Sequence, residues 1–110
     1  MEIMLQYFDG CPGWRAADAN LREALRLAGI PDAEVRYQKV ETPQEARRVG
    51  FRGSPSLLID GEDPFADPGA PAGLSCRIYQ TPSGPAAAPS TAQLHEALRR
   101  RRDPDRPASR

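Results

Sequence analysis

The sequence predicts one α/β domain with the element order β-α-β-α-β-β-α. Two observations carry that prediction. An apolar run, Ile3-Met4-Leu5-Gln6-Tyr7-Phe8, passes within a few residues into a 3.6-residue periodicity and then into a second alternating run, the pattern of a β-α-β unit. Two helix-start signatures, Thr42-Pro43-Gln44-Glu45 and Ser90-Thr91-Ala92-Gln93, then bracket the remaining strands. A chain of 110 residues holds one domain. Its 39% apolar and 27% charged residues are ordinary for a globular protein.

Each element has a local reason. Residues 2–8 carry apolar side chains on both faces (Ile3, Leu5 and Tyr7 against Met4 and Phe8), which suits the middle strand of a covered sheet. Over 12–28, Trp14, Ala17, Leu21, Ala24, Leu25 and Ala28 fall on one helical stripe, so Trp14 reads as a core anchor. Pro12 suits the first turn, and Gly29 with Pro31 ends the helix. Residues 34–40 alternate and read as an edge strand. A short helix opens at Thr42-Pro43 and ends by Val49 or Gly50. Leu57-Leu58-Ile59 is a buried strand with Pro55 at its entrance, where the Ser54–Pro55 bond is a candidate for cis. Residues 62–74 form a long irregular loop with Asp63, Phe65 and Asp67, a length usually functional or mobile. Residues 76–80 read as a fourth strand and 81–89 as a connector. The last helix has the stripe Leu94, Ala97, Leu98, with His95 at its flank and so on the surface. The domain is expected over 1–100, with a disordered Arg-rich tail over 101–110.

Composition excludes several classes. No run approaches the roughly 18 apolar residues of a membrane span. The start of the chain has no basic segment before its first strand, so a cytoplasmic location is expected, where thiols stay reduced. Net charge is zero: the last twelve residues hold six Arg and two Asp, +4, and leave −4 on the body. An acidic body does not point to nucleic acid, and Arg99 to Arg102 read as a solvated helix end. Two cysteines and one histidine, His95, show no metal-ligand spacing, and no metal or cofactor is expected.

The chemistry centres on Asp9-Gly10-Cys11-Pro12-Gly13-Trp14. Cys11 stands where a buried strand turns into a helix. First-turn amides have no intrahelical partner, and the peptide dipoles sum to a partial positive charge there. A thiolate at that point is stabilised, which makes a reactive cysteine. The alternative is a half-buried cysteine in a turn, with no chemistry.

With Cys11-Pro12 at the first strand-to-helix turn, Gly53-Ser54-Pro55 before the third strand, and this element order, the chain resembles the thioredoxin-like family over residues 2–100. The resemblance implies a three-layer sandwich with a four-stranded mixed sheet. It implies Cys11 as nucleophile, a cis Pro55 facing it and shaping a substrate groove, and Ser54 offering its backbone to an extended substrate. Pro12, Trp14, Ser54 and Pro55 are the expected substrate-binding residues. The departure is Trp14, which holds the place of the family's second cysteine, so the motif itself cannot resolve a mixed disulfide. Single-cysteine members of the family handle mixed disulfides; others have lost redox activity.

In the implied sheet the fourth strand returns antiparallel to the third and starts at the end far from Cys11. That places Cys76 about 10 Å from Cys11 by strand rise, beyond the roughly 7 Å reach of a disulfide. Cys76 is then a small buried hydrophobe, or a possible second thiol if the 62–74 loop re-routes it. A narrower similarity rests on Phe8-Asp9-Gly10-Cys11-Pro12, Gly50-Phe51-Arg52-Gly53-Ser54-Pro55 and Gly73-Leu74-Ser75-Cys76-Arg77-Ile78-Tyr79. These look like a group of small thioredoxin-like proteins, some labelled alkylmercury lyase. That label implies mercury held by Cys11 and Cys76, with Asp9 as acid. The expected function is thiol–disulfide chemistry on a thiol or disulfide substrate, small molecule or protein. The alternatives are a non-catalytic binding domain and a mercury-binding protein.

Overall fold

A computed structural model describes residues 1–66 and 69–102. The expected tail past 102 lies outside them, as do Asp67 and Pro68 of the loop. The elements are β1 (Ile3–Tyr7), α1 (Gly13–Leu27), β2 (Val35–Lys39), α2 (Pro43–Val49), β3 (Ser56–Ile59), β4 (Tyr79–Thr81), β5 (Gly84–Ala86) and α3 (Thr91–Arg102). α3 carries through Arg101, whose guanidinium pairs with Asp60 (3.1 Å) and Glu62 (2.7 Å).

β1 lies in the centre of a three-stranded sheet, order β2-β1-β3, parallel to β2 and antiparallel to β3. Alternate β1 residues face opposite sides. Ile3 packs with Leu57 and Ile59 of β3 against Leu21, Ala24 and Leu25 of α1 and Leu94 and Leu98 of α3. Leu5 packs on Ala17 and Ala88, with Trp14 beside them. A separate cluster joins α2 to the rest: Ala46 sits with Val40 and Phe51, and Phe8, Val49 and Leu74 close around it. Thr42 caps α2 as the sequence reads it, but Glu45 reaches one residue beyond the box, to Glu41 in place of Thr42; the Ser90 box closes as read. Thr42 Oγ1 accepts from Glu45 N–H (3.0 Å), and Glu45 reaches back to Glu41 N–H (2.9 Å). Ser90 and Gln93 exchange both bonds, at 2.9 and 3.1 Å.

The sheet is not four-stranded, which corrects the expected fold class. β4 and β5 form their own two-stranded sheet. Two features keep them off β3. After Ile59 the chain turns tightly through Asp60-Gly61, both with positive φ, and Glu62 takes the bridge to Ile59. Farther on, Cys76 bridges Ser54 in the parallel sense, so this segment runs with the entrance to β3 instead of against β3. The strand expected over 76–80 is therefore shorter and later, Tyr79–Thr81. It pairs with a stretch expected to be a connector. Pro85 is tolerated in β5 because it stands one step from the Thr81–Gly84 pair, where the ladder's alternation points an N–H outward.

Candidate functional site: a cysteine pair at the head of the first helix

The site is built where β1 ends and β3 begins. Gln6 pairs with Ser56 across the two strands, so the chain before Ser56 lies beside the chain after Gln6. Ser54 Oγ accepts from Phe8 N–H at 2.9 Å and fixes that neighbourhood. From Phe8 the chain turns, with Cys11 N–H donating to Phe8 C=O (3.0 Å), and enters α1 through Pro12. No side chain caps the first turn of α1. Gly13 is required there by close approach: a Cβ on it would stand 2.6 Å from Ala87 O. The Ser54–Pro55 bond is cis.

Opposite Ser54 runs the segment Ser75-Cys76-Arg77. Ser54 N–H donates to Ser75 C=O (2.7 Å), and Arg77 N–H donates to Ser54 C=O (2.9 Å). Two residues before Ser75, Gly73 N–H donates to Phe51 C=O (3.0 Å). This brings the Cα atoms of Cys11 and Cys76 to 5.6 Å, and the two sulfurs are bonded. The expectation of roughly 10 Å is thus corrected. It assumed an antiparallel strand; the parallel bridge puts Cys76 level with Ser54.

The two cysteines differ in access. Cys11 is 2% exposed, whereas Cys76 is an exposed residue. Pro12 is exposed beside them. Pro55 and Ser54 are buried, and both backbone groups of Ser54 are taken by residues 75 and 77 of the chain itself. Trp14 is half-buried and stacks on Tyr7 at 4.3 Å, with the Arg15 guanidinium 5.0 Å over its ring. Trp14 therefore packs along the first turn, and Cys76 is bonded to Cys11 from another part of the chain. Asp9 pairs with Lys39 Nζ at 2.7 Å. His95 is half-buried on α3.

Sequence reasoning missed the group that holds Cys76 in place. Arg77 Nη1 donates to Asp63 Oδ2 (2.7 Å) and to Ser56 Oγ (3.2 Å), and its Nη2 donates to Phe65 C=O. The guanidinium also lies 4.6 Å over the Tyr79 ring. Asp63 Oδ1 is held in turn by Phe65 N–H (2.8 Å). Tyr79 Oη donates to Pro55 C=O at 2.6 Å, and burial raises its pKa well above the ordinary phenol value. The only signal for this group was the presence of Asp63 and Phe65 in a long loop, which names no partner.

A cavity of about 780 Å³ opens beside Cys76, with Gln6, Ser56, Arg52, Arg77 and Tyr79 in its walls. That volume is in the range of small-molecule sites. A second, of about 600 Å³, lies between Phe65 and α3 and touches neither cysteine. No group of three or more His, Cys, Asp or Glu among the described residues is placed to hold a metal ion. No described helix is long and apolar enough to cross a membrane. The chain matches no protein-family model, no curated protein and no solved structure.

Proposed function

We propose that this is a thiol–disulfide exchange protein of thioredoxin-like kinship, in which Cys11 and Cys76 form the redox couple. One observation carries the reading. Two cysteines distant in sequence are bonded at the head of a helix, one buried and one exposed. A substrate thiolate attacks Cys76, the more exposed of the two cysteines. The S–S bond breaks, Cys11 leaves as a thiolate, and a mixed disulfide joins the substrate to Cys76. A second substrate thiolate then attacks that bond and releases Cys76. The two electrons pass from the two substrate thiols, which become a disulfide, to the cysteine pair. In the opposite direction the Cys76 thiolate attacks a substrate disulfide, and Cys11 resolves the product. The uncapped first turn of α1 favours Cys11 in its charged form, as leaving group and as resolving nucleophile.

We place the protein in the cytoplasm, where a disulfide is characteristically transient and catalytic or redox-sensing. The substrate is a thiol or disulfide, and the cavity beside Cys76 gives it a place to approach. The test is exchange with a chromogenic aromatic disulfide, followed in the reduced protein and in Cys11→Ser and Cys76→Ser. The expected result is turnover in the parent, a stable adduct on Cys76 in Cys11→Ser, and no adduct in Cys76→Ser. A parent that gives no turnover, or equal labelling of both variants, refutes the exchange reading.

A further inference from the structure

We infer that Arg77 is a positioning residue that keeps Cys76 within bonding reach of Cys11 when the pair is reduced. The inference deepens the exchange reading above. A redox couple made from distant parts of a chain has a difficulty that two cysteines on one helical turn do not. When the S–S bond breaks, nothing covalent holds the second thiol in place, and ring closure becomes a loop-closure problem. The arrangement around Cys76 supplies the holding without the bond. Arg77 follows Cys76 directly and is fixed from four sides: the Asp63 carboxylate, Ser56 Oγ, Phe65 C=O and the face of Tyr79. Its side chain is 12% exposed and that of Asp63 is 20%, so this pair is screened by solvent far less than the surface pairs of α1 and α3. The planar fork is what satisfies three acceptors at once; an ammonium offers a point charge. The backbone on either side of Cys76 is pinned as well, through Ser54 to Ser75 and Arg77. Gly53 leaves room for the Arg77 stem, since a Cβ there would stand 3.0 Å from Arg77 Cβ.

None of these contacts involves a sulfur atom, so reduction removes none of them. Reduction of the pair by a dithiol transfers two electrons and two protons to Cys11 and Cys76 and leaves the reductant as its own disulfide. The reverse step starts from two thiols already side by side. The clamp thus favours the bonded form and lowers the couple's potential.

The experiment equilibrates the purified chain in dithiothreitol redox buffers and reads the fraction of bonded pair by thiol alkylation and mass. Arg77→Met keeps the stem and removes the fork. It is expected to shift the equilibrium at least tenfold toward the dithiol, about 30 mV in potential. Arg77→Lys is expected to restore less than half of that shift. Asp63→Asn, which keeps an acceptor for Phe65 N–H, moves the equilibrium the same way and carries the test if Arg77→Met does not fold. Amide exchange gives a second readout. In the reduced parent, the N–H groups of Ser54 and Arg77 are expected to stay protected. Folded variants whose equilibrium lies within twofold of the parent, or loss of both amide protections on reduction, overturn the inference. No substrate enters these measurements. Absence of turnover therefore refutes the exchange reading alone, and an unshifted equilibrium refutes the positioning role alone.

Discussion

At the scale of single residues, charge is placed where backbone groups need it. Asp60 is the clearest case. It sits in the turn after β3 with φ of 52°, a conformation that Asp tolerates better than most residues. Its Oδ1 accepts from Glu2 N–H at 2.8 Å, and Arg101 Nε donates to its Oδ2 at 3.1 Å. The Glu2 bond first, and the Arg101 bond second, hold its carboxyl below the usual carboxylate range. A carboxyl with a depressed pKa in the fold contributes stability that is fully present above its unfolded value, near 3.9, and is lost as pH falls through the folded one. Asp60→Asn is therefore expected to be less stable than the parent at neutral pH, with the gap closing below about pH 4. Urea unfolding at a series of pH values reads this directly. A gap that stays constant through the acid limb shows that the charge of Asp60 contributes nothing.

At the scale of elements, most local signals are legible in the sequence and strand polarity is not. α3 shows the first half. It has two buried apolar anchors, Leu94 and Leu98, and a reciprocal cap in which Ser90 and Gln93 satisfy one another's N–H groups. Ser90→Ala removes one acceptor and leaves Gln93 N–H without that bond, a loss of about 1 kcal/mol. In a domain of this size that lowers the melting temperature by about 4 °C, and a thermal melt checks it. A drop below 1 °C would mean that tertiary packing alone starts the helix. Both caps, the α1 stripe, the central place of β1 and the cis bond before Pro55 were legible because each depends on residues a few positions apart. The Asp60-Gly61 turn was equally local, a dipeptide that favours tight hairpins, and went unread. The segment 75–77 was different in kind. Its residues fit a strand in either direction, and only contacts to Ser54, Asp63 and Phe65 decide which. Those partners lie 12 to 23 positions away, and no periodicity encodes them. The four-stranded sheet and the separation of the cysteines followed from that one choice of direction. β5 was missed for a simpler reason: the prolines at 82, 85 and 89 read as a connector, although alternate positions of a hairpin ladder accept proline.

At the scale of the whole molecule, the cysteine pair joins parts of the chain that secondary structure leaves loosely connected. Its sequence separation is 65 residues, and the loop it closes contains α1, β2, α2, β3 and the irregular segment after them. In the chain-entropy account such a loop closure stabilises the fold by about 4 kcal/mol through the unfolded state, a large share of the roughly 5–15 kcal/mol of a typical domain. The reduced protein, and Cys11→Ser with Cys76→Ser combined, are expected to unfold at lower urea concentration by that amount. They are also expected to show a steeper denaturant slope, because an uncrosslinked unfolded chain exposes more surface. Linkage makes the relation reciprocal: whatever the bond adds to the fold, the fold adds to the bond. At about 1.4 kcal/mol per 30 mV for two electrons, the same 4 kcal/mol places the couple of the folded chain about 90 mV below that of the unfolded chain. Two independent measurements, urea unfolding of oxidised and reduced protein and redox titration with and without denaturant, must therefore return one free energy. If unfolding reports a large gain and the potential does not move, the reduced protein is relaxing to a different arrangement around Ser54. The contacts that hold Cys76 in place would then depend on the bond they are argued to support.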